Sequence, residues 1–176
     1  MSAPEFSRPV RVETLGAEPR TMTIEADEAE RAALARRFGL VAIDRLAADA
    51  ALVRGGEEVV ATGRIAAAVT QSCVASAEPV AAAVDEPFEL RFRPAPAVGG
   101  PDEEVELSER ELDLIFYDGT AIDLGEAVAE TLALSLDPYP RAPNAEEALK
   151  AAGVKSEEEA GPFAALAGLR DKMKKD

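Results

Sequence analysis

The sequence predicts an α+β protein: an antiparallel β-meander forming a partly closed, barrel-like sheet, with about three helices, a flexible acidic loop and a helical C-terminal tail. Three observations predict it. From residue 41 to residue 93 apolar side chains recur at every second position through three successive runs, the spacing of half-buried strands. Around that region, 27–38 and 124–136 repeat at helical spacing behind an acidic capping residue. The length, 176 residues of which 47% are hydrophobic, suits one core. We place a single domain at 1–140 and a flexible linker with an amphipathic helix at 141–176.

The elements follow in order. Val10 and Val12, two apart within 8–15, predict a short strand. Asp27 stands three residues before Glu30, the spacing of a capping box; Leu34 and Phe38 sit one turn apart and Gly39 supplies the stop, giving a helix over 27–38. In the first meander run Leu46, Ala48, Ala50 and Leu52 share a face, and Gly55-Gly56 offers a two-residue hairpin turn. Val59, Ala61, Ile65, Ala67, Val69 and Cys73 return along the second run. In the third, Val80, Ala82, Val84, Phe88, Leu90 and Phe92 face inward while Glu89, Arg91 and Arg93 face water. Residues 94–110, rich in Pro, Gly and carboxylates, predict the acidic loop. Leu112, Leu114 and Phe116 then predict another strand, turned by Asp118-Gly119. Asp123 and Glu126 begin a helix whose Leu124, Val128, Leu132 and Leu136 line one face until Pro138 ends it. A short helix is expected near 145–152. The last begins at Pro162 and runs to about 173, with Phe163, Leu166, Leu169 and Met173 in a rough stripe.

Composition excludes several function classes. There are no histidines, so no His-based triad, His-ligated metal or imidazole shuttle can be built, and the single Cys cannot form an intramolecular disulfide. The net charge of -15 opposes non-specific binding to phosphate, which depends on Lys and Arg. The N-terminal stretch lacks the apolar run of a signal peptide, and no segment has the apolar length of a membrane span, so we expect a cytoplasmic protein without a membrane partner.

The candidate chemical groups mostly have plain structural readings. Cys73 is the only soft nucleophile, but no sequence neighbour supplies a base to lower its pKa, and a small apolar role on an inward strand face is the favoured reading. The carboxylates cluster in loops rather than in a cleft that would separate an acid from a base. Gly55-Gly56 and Gly99-Gly100 match neither a P-loop nor a dinucleotide fingerprint. Arg170, Lys172, Lys174 and Lys175 in the basic tail have the chemistry to meet RNA phosphates, or simply to complement a helix C-terminus. No cofactor is implied.

Three stretches stand out together: residues 70–94 with Cys73, Glu78, Pro79, Phe88 and Phe92; residues 121–143 with Ile122, Asp123, Leu124, Glu126, Leu132, Leu134, Leu136 and Pro140; and residues 161–176 with Pro162, Phe163, Leu166, Leu169 and Lys172. In this order they resemble the cysteine-containing hairpin, the second signature and the C-terminal end of the YceD-type large ribosomal RNA subunit accumulation proteins. Where many relatives have Cys-x-x-Cys, this chain has Cys73 and then Ser76, with no second thiol and no His, so a structural zinc site is not expected.

The resemblance implies a non-enzymatic factor that supports 23S rRNA accumulation and large-subunit assembly by binding protein, RNA or both. The charge suggests a basic ribosomal or assembly protein as partner, with contact to a 23S rRNA precursor confined to Arg91, Arg93 and the basic tail. The alternatives from the residues are a carrier of a small apolar ligand inside a curled sheet, an acidic protein-interaction module that mimics nucleic acid, and an enzyme limited to carboxylates, Tyr117, Tyr139, Lys and Cys73.

Overall fold

The computed structural model describes residues 4–95 and 114–154. In chain order it forms β1 (Pro9–Arg11), a 3-10 turn (Val12–Thr14), β2 (Arg20–Glu25), α1 (Glu28–Phe38), β3 (Ala42–Gly55), β4 (Glu58–Ser72), β5 (Pro79–Pro94), β6 (Leu114–Tyr117), β7 (Ala121–Asp123), α2 (Leu124–Ser135) and α3 (Ala145–Ala151). This is α+β, with three α-helices among the described residues. The main sheet has the order β2-β3-β4-β5-β6, and β1 pairs with β7 in a second, two-stranded sheet. The chain divides into two compact units: Met1–Gln71 with Ala81–Pro138, and Ser72–Val80 with Tyr139–Asp176.

The meander stands as the alternation predicts. Leu46, Leu52, Val59, Ala61 and Ile65 are fully buried, with Ala48, Ala50, Val69, Val84, Phe88 and Phe92 in the same core. α1 carries the complete capping box: Asp27 accepts from the Glu30 N–H, and the Glu30 carboxylate accepts from the Asp27 N–H. Gly39 ends it in the left-handed conformation that glycine adopts without a Cβ penalty. The face of α2 bearing Leu124, Val128 and Leu132 is fully buried. At Gly63 an added Cβ would collide with the Asp49 carbonyl and lie 2.8 Å from the Phe88 ring and 2.9 Å from the Ala50 Cα, so the missing side chain lets the β3 backbone and Phe88 approach this closely.

Several expectations are corrected. The sheet is not closed: it ends on β2 and β6, and no pairing joins them among the described residues. β6 pairs with β5 in parallel, Arg91 opposite Leu114, rather than continuing the antiparallel meander. Its facing also differs, since Ile115 and Tyr117 pack on the core while Phe116 is 51% exposed. The expected strand over 8–15 is only three residues, because Val12 already belongs to the 3-10 turn. Neither β2 nor β7 was expected; β2 buries Ile24 alone, too little apolar signal to register as a strand. The β3–β4 turn sits one residue later than Gly55-Gly56, with Gly55 opposite Glu58 and Gly56 at φ 67°. Most of the acidic loop at 94–110, and the whole helix at 162–173, lie outside the described residues.

Candidate functional site

In the smaller unit the chain leaves β4 at Ser72 and turns back to β5 through Cys73–Glu78. The Cys73 N–H donates to the Glu78 carbonyl at 2.8 Å and the Ala77 N–H to the Cys73 carbonyl at 2.9 Å, with Ala77 in the left-handed region at φ 59°. A remote stretch completes the turn. The Val74 N–H donates to the carbonyl of buried Pro140 at 2.9 Å, and Asn144 Nδ2 donates to Glu78 Oε1 at 3.0 Å. The sulfur of Cys73 accepts from the Ala142 N–H at 3.3 Å and the Ser76 N–H at 3.4 Å. It packs with Ala142 and Ala145.

Cys73 is therefore not on an inward strand face, as expected, but follows the end of β4 and serves as an acceptor. The Ala142 amide, followed by Ser76, holds the thiol down to about 7 against the opposing effect of burial. Sequence reasoning missed this because the strongest donor comes from Ala142, far along the chain. At 3% exposure the sulfur is shut off from reagents in solution.

Residues 122–126 form a junction in the larger unit. Asp123 caps α2, its Oδ1 accepting from the Gly125 N–H at 3.1 Å and the Glu126 N–H at 3.2 Å. The same carboxylate accepts from the Arg8 N–H at 2.8 Å and the Ser7 hydroxyl at 2.5 Å. Ile122, buried, stands opposite Val10 in the β1–β7 pair. Arg37 of α1 bridges Glu126 at 2.7 Å and Glu5 at 3.0 Å, and these partners, Glu126 foremost, raise its pKa. Gly125 leaves room for the strap of residues 5–8, since a Cβ there would lie 2.5 Å from the Phe6 carbonyl. Ile122, Asp123, Leu124 and Glu126 thus lock the N-terminal segment to two helices.

The remaining predicted positions separate into core and surface. Phe88 and Phe92 are buried in the core, and Pro79 opens β5. Arg91 and Arg93 are brought together by Glu58: Arg93 Nη2 is 2.8 Å from its carboxylate, and Arg91 lies 3.8 Å from it while pairing with Glu89 at 2.8 Å. Both cations therefore come with their counter-charges. On the same strands Arg64 pairs with Asp85, and between β2 and β3 Thr23 donates to Asp49. By contrast, the exposed carboxylates of Glu57, Glu86, Glu130, Glu146 and Glu147 have no ion pair among the described residues. Pro162, Phe163, Arg170, Lys172, Lys174 and Lys175 lie outside the described residues. Among the described residues no group of three or more Cys, Asp or Glu is arranged to hold a metal ion, and no helix is long and apolar enough to cross a membrane.

These features define an α+β protein in which Cys73 and Asp123 join distant stretches of chain and whose described surface carries unpaired carboxylates. The chain belongs to the family described as large ribosomal RNA subunit accumulation protein YceD, which matches residues 61–170. No curated protein matches it, and no solved structure does.

Proposed function

We propose that this protein is a non-enzymatic ribosome biogenesis factor that supports 23S rRNA accumulation and large-subunit assembly by binding. Membership of the family is the observation that carries the reading. The partner class follows from charge. Among the described residues Arg64, Arg91 and Arg93 are paired with Asp85, Glu58 and Glu89; the exposed carboxylates of Glu57, Glu86, Glu130, Glu146 and Glu147 have no ion pair, nor do the exposed cations Arg36, Arg45, Arg141 and Lys150, and the net charge of -15 sets the balance towards carboxylate. A surface of this kind repels phosphate and attracts a basic ribosomal or assembly protein. Contact with a 23S rRNA precursor would fall to the basic tail.

The test is depletion in the native cell, followed by sucrose-gradient profiling of subunits and quantification of 23S against 16S rRNA. The expected result is a selective deficit of 23S rRNA and of large subunits. Unchanged profiles in cells shown to lack the protein would overturn the reading.

A further inference from the structure

The main sheet ends on β2, and the backbone of a terminal strand is where a second chain can pair. One bond fixes which way its groups point. The Ala26 N–H donates to the Leu46 carbonyl at 2.9 Å, and Ala26 continues the register in which Glu25 stands opposite Ala47. Bonded and unbonded pairs alternate in an antiparallel ladder. Arg20, Met22 and Ile24 therefore address β3, while Thr21, Thr23 and Glu25 turn their N–H and carbonyl groups outward.

Both ends of that outward row are stopped. Pro19, one period before Thr21, has no N–H to offer. At the other end the Glu25 carbonyl accepts from Arg8 Nη2 at 2.8 Å. Arg8 is firmly held, paired with both oxygens of Glu30 at 2.7 and 2.8 Å, its guanidinium 4.5 Å from the centre of the buried Phe6 ring. Between the stops, the outward backbone groups of Thr21 and Thr23 have no hydrogen-bond partner among the described residues.

We infer that Arg8 guards this edge, and that without it β2 pairs with β2 of a second copy of this chain. The pairing is antiparallel about a twofold axis at Met22. Thr21 of each copy then faces Thr23 of the other, and the outward groups of both form four backbone hydrogen bonds. The same register carries the second copy's strand past Glu25, into the space the Arg8 guanidinium fills, so the intact guard and the second copy exclude each other. Arg8 and β2 precede the family match at 61–170, and the inference does not depend on the proposed function.

The test uses the full chain. R8M/E30Q removes the guanidinium, keeps an apolar stem over Phe6 and removes the carboxylate that paired with it; T21P removes an outward N–H without touching the β3 ladder. In sedimentation equilibrium wild type is expected at the protomer mass, R8M/E30Q should rise towards twice that mass with concentration, and adding T21P should return it to the protomer. An R8M/E30Q variant that stays at the protomer mass, or one whose association survives T21P, overturns the inference. Should R8M/E30Q fail to fold by circular dichroism, amide exchange in wild type decides. Thr21 and Thr23 are expected to exchange at least 10-fold faster than Met22 and Ile24, and equal protection would overturn the guard.

Discussion

The turn at Cys73 and the junction at Asp123 each gather backbone N–H groups from two stretches of chain onto one side chain. Cys73 accepts one amide from its own turn, Ser76, and one from a remote segment, Ala142. Asp123 accepts two from its own helix, Gly125 and Glu126, and one from a remote segment, Arg8, together with the Ser7 hydroxyl. The atoms differ. A carboxylate has two oxygens and holds its donors at 2.5–3.2 Å, whereas a single sulfur holds its two at 3.3–3.4 Å. The comparison teaches that Cys73 and Asp123 act first on the chain itself: one fixes a hairpin to a later segment, the other fixes the N-terminal strap to a helix start.

Breaking the Asp123 junction should cost most. Gly125→Ala forces a Cβ against the backbone of Phe6 and Arg8, which cannot yield as a side-chain tip would. We expect a loss of about 3 kcal/mol in urea denaturation, with the strap of residues 5–8 released. Asp123→Ala removes the cap and leaves the Arg8 N–H unpaired; the expected loss is about 2 kcal/mol by the same measurement. An Asp123→Ala protein as stable as wild type would show the junction to be held by Arg37 and the β1–β7 pairing instead.

The smallest effect, and the sharpest for the comparison, belongs to Cys73. Its folded thiol titrates near 7 and an unfolded thiol near 8.5. Between those values the unfolded chain binds more protons, so stability should rise with pH across that window and the increment should be lost as pH falls through 7. Thermal unfolding of wild type and Cys73→Ala from pH 6 to 9 checks this. The rise should be present in wild type and missing from the variant; parallel profiles would mean that the amides of Ala142 and Ser76 do not hold a thiolate.

Legibility in the sequence followed the range of the interactions. The capping box of α1, the cap of α2 and the inward faces of β3, β4 and β5 depend on residues two to four apart, and could be read directly. β2 and β7 could not, because each is short and is defined by a partner strand rather than by its own alternation. The parallel placement of β6 is also set by its partner, so a run of Leu, Ile, Phe and Tyr left its inward face undetermined by one residue. The candidate site shows the same division. Asp123 was legible as a cap but not as the anchor for Ser7 and Arg8, and Cys73 was legible as buried but not as an acceptor for Ala142. Arg91 and Arg93 were read as exposed cations, yet the carboxylate between them, Glu58, comes from another strand.

The pairing of β1 with β7 sets an order of events during synthesis. Pro9 leaves the ribosome more than a hundred residues ahead of its partner Asp123. At roughly 5 to 20 residues per second the N-terminal strap waits on the order of ten seconds for its anchor. Until then Phe6 is without the packing it has in the finished fold, and the Arg8 N–H lacks the Asp123 carboxylate that fixes the strap behind the β2 edge. The nascent chain thus spends that interval with the strap behind its sheet edge less firmly anchored than in the finished fold.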